Sequence, residues 1–163
     1  MLGTIIQINE KQKTKNERGL PKIPVDYAMV IFAGLTNDYN NYRQESLAGA
    51  LDQAILIMTA DIFKQLLQEN WNITAGDLGE NFTIQDIKYT DLEKGQKFSL
   101  GKEVIIELTK KARPCRNLAS IPSIGEEKVS AFIKTMIDRR GWYAKVLKEG
   151  KVEKNDKFVL IKN

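Results

Sequence analysis

The chain has 163 residues, enough for one domain with a substantial core. Apolar residues make up 42% and charged residues 28%, a globular balance, and the net charge of +4 is too small and too scattered to predict a nucleic-acid-binding face. With no histidine and one cysteine, the chain cannot build a Ser-His-Asp triad, a Cys-His dyad, a His-ligated zinc or haem, an intrachain disulfide or an iron–sulfur cluster.

Leu2 to Ile8 alternates apolar and polar residues and predicts a strand. No basic segment precedes it, so a signal peptide is not expected, and no run reaches the roughly 18–20 apolar residues of a membrane span. A cytoplasmic protein is expected, which suits a lone thiol. Lys11, Lys13, Lys15, Arg18 and Lys22 form a basic cluster that reads as a solvated loop. Tyr27 to Phe32 and Gln53 to Met58 are short apolar runs, predicted as buried strands. Asp61 to Asn70 places Ile62, Phe63, Leu66 and Leu67 on one helical face, with Thr59 or Asp61 as its cap. Strands are predicted at Phe82 to Ile84, Lys97 to Leu100 and Glu103 to Thr109. Ser123-Ile124-Gly125-Glu126 reads as a capping box. The helix behind it carries the stripe Val129, Phe132, Ile133, Met136 and Ile137, with Gly141 just past its end. Trp142 to Leu147 and Phe158 to Ile161 close the chain, with Lys148 to Lys151 read as a hairpin loop. Many short strands and two helices predict a mainly β (α+β) domain over residues 1–163, with a strongly twisted or closed sheet.

Three segments carry candidate chemistry. In Lys110 to Leu118, Pro114 turns the chain after a strand and presents Cys115 on a loop between Arg113 and Arg116. Their charge favours thiolate, a nucleophile, a soft metal ligand and a carrier of persulfide. A small buried hydrophobe is the alternative reading of the same cysteine. In Ala75 to Thr83, Gly76 and Gly79 permit a tight turn or an anion nest, with Glu80 and Asn81 placed to meet a ligand. A capped turn between helix and strand explains the same residues. In Asn37 to Ser46, a polar and aromatic segment, Arg43 is able to clamp a phosphate or carboxylate, and an exposed loop is the alternative.

Taken together, the chain resembles the MOSC domain, named from the C-terminal domain of molybdenum-cofactor sulfurases, in its small stand-alone prokaryotic form. The resemblance covers nearly the whole chain, beginning with the strand Gly3 to Ile8 and Arg18-Gly19-Leu20-Pro21-Lys22-Ile23-Pro24-Val25 and passing through Tyr42-Arg43-Gln44-Glu45-Ser46-Leu47 and Gly76-Asp77-Leu78-Gly79-Glu80-Asn81. It continues to Arg113-Pro114-Cys115 and the closing Arg140-Gly141-Trp142-Tyr143-Ala144-Lys145-Val146-Leu147. It implies a β-barrel with helices outside. It implies that Cys115 is the family's characteristic cysteine, either a ligand of molybdenum in a pterin cofactor or the bearer of a persulfide. It also implies that Arg43, Gln44, Gly79, Glu80 and Asn81, with Arg113 and Arg116, line the cofactor pocket. The histidines that members often carry before the Arg-Gln pair are replaced here by Asn37-Asp38-Tyr39-Asn40-Asn41-Tyr42. The pyridoxal phosphate of the sulfurases belongs to a separate domain and is not expected.

Three functions follow. One is a molybdenum-pterin oxidoreductase that reduces an N-hydroxylated small molecule, with electrons from an external reductase. The second is a sulfur carrier loaded on Cys115 by a cysteine desulfurase. The third is a non-catalytic binding module in which Cys115 only packs. Zinc, haem and iron–sulfur clusters are not expected, nor are nucleic-acid or membrane partners.

Overall fold

The apolar runs assemble as strands of one closed barrel. The computed structural model describes residues 1–162. The side chains of Asn41 and Tyr42, inside the polar segment singled out above, lie outside those described. In chain order the elements are β1 (Leu2–Glu10), β2 (Ile23–Val25), β3 (Tyr27–Ile31), β4 (Gly34–Leu35), α1 (Asn41–Ser46), β5 (Ile55–Thr59) and α2 (Ala60–Gln68). Then come β6 (Phe82–Gln85), β7 (Lys97–Leu100), β8 (Val104–Lys111), α3 (Gly125–Met136), β9 (Trp142–Lys148), β10 (Gly150–Glu153) and β11 (Lys157–Leu160). No helix among the described residues is long and apolar enough to cross a membrane.

The main sheet runs β11-β7-β8-β9-β5-β6-β1, and β1 pairs back onto β11, so seven strands close a barrel. Closure removes the free edges that an open sheet would expose. β1 makes this possible by its length. Leu2 to Thr4 pair with β11, while Ile8 to Glu10 pair with β2 further along. A register shift between Ile5 and Gln7 bends it along β6. β5 and β6 are parallel, and α2 lies in the crossover that a parallel pair requires. Inside, Phe98 stacks on Phe158 with ring centroids 4.3 Å apart, and Phe82, Ile5, Ile55 and Ile57 are fully buried around them.

Several local expectations are corrected. Lys148 to Lys151 is not a hairpin loop. The chain leaves the barrel at Lys148 and β10 pairs with β3 in a three-stranded side sheet, β10-β3-β4. Glu149 accepts a hydrogen bond from Phe32 N at 2.8 Å and helps hold that departure. The Ser123 capping box does not form. Ser123 Oγ donates instead to Asn72 O, and Ile124 stands at the cap position with no side-chain bond. Thr59 occupies the cap position of α2 without capping it, and Asp61 accepts from Tyr89 N. Leu67 and Ile137 are exposed, so each helix buries a narrower face than its periodicity suggests. In α3 that face is Val129, Phe132 and Met136, with Phe132 against Trp71. The short helix α1, read as loop, is capped by Asn40, whose side chain accepts from Arg43 N at 3.0 Å.

Candidate functional site

The cleft is built by segments that alternate between barrel strands and the loops leaving them. β8 runs two residues past its expected end and carries Lys110 and Lys111 to the barrel mouth. There the chain meets Gly141 through Ala112 N, which donates to Gly141 O at 2.8 Å. Pro114 then turns it, and Cys115 lies extended ahead of a 3-10 turn at Arg116–Ser120. Leu118 in that turn is buried and anchors the loop, while Cys115 is exposed. Across the mouth, the turn at Gly76 to Gly79 supports the segment Arg18 to Lys22. Gly76 has φ +98 and its carbonyl accepts from Lys22 N at 2.9 Å. A Cβ on Gly76 would stand 2.7 Å from Lys22 O, so only glycine permits this contact.

Between these segments lies a cleft of about 550 Å³. Six cations line it: Arg18, Lys22, Lys110, Lys111, Arg113 and Arg140. Among the described residues no carboxylate lines it. Leu20, Leu78, Leu118 and Tyr143 supply apolar and aromatic wall, and Cys115 and Asn117 complete one side. A pocket that is part apolar and strongly cationic suits a flat ligand with an anionic group. Some of the charge is already engaged. Lys110 is 2.9 Å from Asp52, and Lys22 is 2.5 Å from Asp38. Arg140 is buried, and its Nη1 has no hydrogen-bond partner. A buried guanidinium nitrogen without an acceptor is costly unless a ligand supplies one.

Of the residues expected at the site, Cys115, Arg113 and Gly79 line the cleft. Glu80 and Asn81 lie behind it. Glu80 Oε1 accepts from Gly76 N at 2.6 Å and from Thr83 Oγ1 at 2.9 Å, and Oε2 has no partner. Burial pushes the Glu80 carboxyl up to about 7, against the opposing pull of its hydrogen bonds and of the Arg140 charge. Asn81 is committed to the protein. Its Oδ1 accepts from Leu56 N at 3.0 Å and its Nδ2 donates to Asp38 Oδ2 at 2.9 Å. Both residues therefore position the wall of the cleft. Arg43 is buried with Nε and Nη1 unpartnered, and it is not among the lining residues. Burial lowers its pKa, while Asp38 and Tyr143 oppose that. Gln44 is exposed, and Arg116 turns to α3 and pairs with Glu126.

Sequence reasoning missed Arg18, Lys22, Arg140 and Tyr143 as site residues. The basic cluster at Lys11 to Lys22 is not uniformly solvated: the Lys22 side chain is 3% exposed. Its signal was Gly19-Leu20-Pro21, a turn inside the cluster. Arg140 was hidden beside Arg139, which pairs with Glu69 at the surface. Among the described residues no group of three or more Cys, Asp and Glu side chains is placed to hold a metal ion.

Comparison with known proteins agrees with this architecture. The MOSC domain family model matches residues 44–159. No curated protein sequence matches the chain. The YuaD protein of Bacillus subtilis superposes with a TM-score of 0.80 at 16% identity, covering 97% of this chain and 94% of that one. YiiM from Geobacillus stearothermophilus gives 0.74 at 24% identity, covering 98% and 75%. YiiM from Escherichia coli gives 0.70 at 18% identity, covering 98% and 70%. At these identities the likeness shows a shared fold.

Proposed function

Since the chain belongs to the MOSC domain family, we propose that its cationic cleft binds a molybdenum-pterin cofactor and that the protein reduces an N-hydroxylated small molecule. The observation that carries this reading is the lining of the cleft: six cations, no carboxylate and an exposed Cys115. The residues present fit such a group. A cysteine sulfur suits molybdenum as a soft ligand. Arg140 Nη1, buried and unpartnered, suits a phosphate oxygen. Arg18, Lys110, Lys111 and Arg113 add positive potential, and Leu20, Leu78, Leu118 and Tyr143 offer flat wall for a ring. When bound, the cofactor would supply two-electron chemistry at its metal. The chain's own residues hold the anion, position the ring and present the Cys115 sulfur. The chain has too few cysteines for an iron–sulfur cluster, so an external reductase would deliver the electrons.

The exposure of Cys115 favours a second reading, a persulfide carrier loaded by a cysteine desulfurase. Arg113 would then stabilise the anionic sulfur. Metal, pterin and sulfane-sulfur analysis separates the two. The protein is purified without oxygen from a host that makes molybdenum cofactor, alongside Cys115→Ser. Near-stoichiometric molybdenum and pterin, with the metal lost in the variant, supports the first reading. Cyanide-labile sulfur on Cys115 without molybdenum supports the second. Neither signal overturns both and leaves a binding module.

A further inference from the structure

The side sheet β10-β3-β4 has one face in the core and one in solvent. Ala28, Val30 and Val152 point inward and are buried. Tyr27, Met29 and Ile31 alternate with them on β3 and point outward, with exposures of 58, 43 and 36%. Phe32, in the turn that follows, is half exposed. Single apolar side chains on a surface need no explanation, but a run of them along one strand and its turn marks an interaction site.

Strand addition is not open to this sheet. On the free edge of β10, Lys151 N donates to Glu103 Oε2 at 3.2 Å and Glu153 N to Asp156 Oδ2 at 2.8 Å. On the other side β4 is two residues long, and Leu35 O accepts from Asp38 N at 3.1 Å. Blocked edges leave the face itself as the contact surface. Beside the apolar strip stands one charge of each sign. The register sets Lys151 next to Met29 and Glu153 next to Tyr27. Lys151 Nζ lies 2.5 Å from Glu153 Oε1 and 4.7 Å from the centre of the Tyr27 ring. A face of one sign selects a partner of the opposite sign. This pair is neutral and ordered plus to minus along the strand, so it complements a copy of itself running the other way.

We propose that two copies of this chain pack sheet against sheet on this face, about a two-fold axis that crosses β3 and β10 at the level of Ala28. Such an axis reverses the strand direction and makes every contact twice. It sets Tyr27 against the copy's Met29, a sulfur–aromatic contact, and Lys151 against the copy's Glu153. A stable interface takes about 800 Å² from each partner, with aromatic and Met side chains at its centre and a polar rim. Tyr27, Met29, Ile31 and Phe32 form such a centre, and Lys151 and Glu153 such a rim. No residue of β3, β4 or β10 lines the cleft, so pairing leaves both clefts open.

The test is sedimentation of the full chain from about 1 to about 100 μM, under reducing conditions that keep Cys115 from cross-linking. A monomer–dimer equilibrium within that range is expected, and a monomer throughout overturns the proposal. Met29→Glu puts a carboxylate in the apolar centre and weakens the dimer at least about tenfold. Lys151→Glu and Glu153→Lys each set like charges across the interface and weaken it on the same scale, while the double exchange restores it. A dimer of parental strength in Met29→Glu, or no recovery in the double exchange, overturns the arrangement. The unmutated protein gives a readout free of folding defects. Peroxide oxidation of Met29, followed by mass spectrometry, slows as protein concentration rises, whereas Met1, also exposed, oxidises at one rate. Oxidation of Met29 that ignores concentration overturns the proposal. Sulfate, a probe anion for the cleft, binds monomer and dimer alike by calorimetry. Weaker sulfate binding in the dimer overturns the placement of this face away from the cleft.

Discussion

Lys22 Nζ lies 2.5 Å from Asp38 Oδ2, with both side chains more than nine-tenths buried. The same oxygen accepts from Asn81 Nδ2 at 2.9 Å. One carboxylate thus joins the loop before β2, the loop after β4 and the turn into β6. These are the pieces that carry Arg18, Leu20 and Gly79 into the cleft. A buried pair of this kind adds little net stability but is expensive to break from one side. Asp38→Ala leaves the buried Lys22 ammonium without its carboxylate, leaves Asn81 Nδ2 only its longer contact to Asn9 O and takes the acceptor from Lys11 N, and a loss of about 3–5 kcal/mol is expected. Replacing both charged partners, as Lys22→Met with Asp38→Leu, costs less than Asp38→Ala alone. Urea denaturation of the three proteins measures this, and equal losses would count against the arrangement.

Glu80 also predicts how stability varies with pH. Its folded-state pKa, about 7, is raised above the ordinary 4.5. The folded protein therefore binds the proton more tightly than the unfolded chain. The contribution is fully present below about 4.5, falls as pH rises, and is lost above about 7. Its size is on the order of 3 kcal/mol over that window. The Glu80→Gln profile, relative to the parent, must lack this decline. Parallel profiles would show that another group is responsible.

Gly76 is expected to reject a side chain. It sits at φ +98, and a Cβ would meet the Lys22 carbonyl at 2.7 Å. Gly76→Ala should cost roughly 1–3 kcal/mol, the penalty of left-handed strain plus a displaced contact. It should also weaken sulfate binding, because Arg18 to Lys22 rest on that turn. Gly95→Ala is the control: that position has positive φ too, but a Cβ meets nothing within 4 Å. Thermal melting and calorimetry of both variants decide whether the crowding matters beyond the φ penalty.

Neighbouring arginines give a contrast. Arg140 lines the cleft with an unpartnered Nη1. Arg139 reaches Glu69 instead, with Nη1 to Oε1 at 2.7 Å and Nη2 to Oε2 at 2.5 Å. Arg140→Gln should reduce sulfate affinity at least about tenfold, the scale of a charge-assisted hydrogen bond. Arg139→Gln should leave affinity unchanged and cost on the order of 1 kcal/mol, since its bidentate pairing with Glu69 and its bond to Thr135 O make it more than a simple surface pair. Equal effects on binding would remove Arg140 from the site.

Cys115→Ser should unfold at the same denaturant concentration as the parent within error, since the thiol is exposed and packs into no core. A maleimide should label the native thiol at the rate seen in unfolded protein. Slow labelling, or a large loss of stability, would mean that the residue is buried in solution.

The periodicities in the chain determined most of the barrel. Short alternating or apolar runs such as Leu2 to Ile8 and Val104 to Leu108 can bury one face only as strands, so local pattern and final structure agree. The presence of Cys115 on a loop after a strand was equally legible, because Pro114 enforces the turn. What pairs with what was not. Lys148 to Lys151 reads locally as a hairpin loop, yet Gly150 to Glu153 pairs with β3, because β3 lies outside the closed ring and β4 covers only one of its edges. The cleft was the least legible. Arg18, Lys110, Arg113 and Arg140 are far apart along the chain, and only barrel closure brings their charges to one mouth. Asn81 looked like a ligand donor in isolation, but its fate depended on Leu56 and Asp38, which tertiary packing set against it. Residue type sets what chemistry a side chain can do, whereas its partners are chosen by contacts across the barrel that no local spacing encodes.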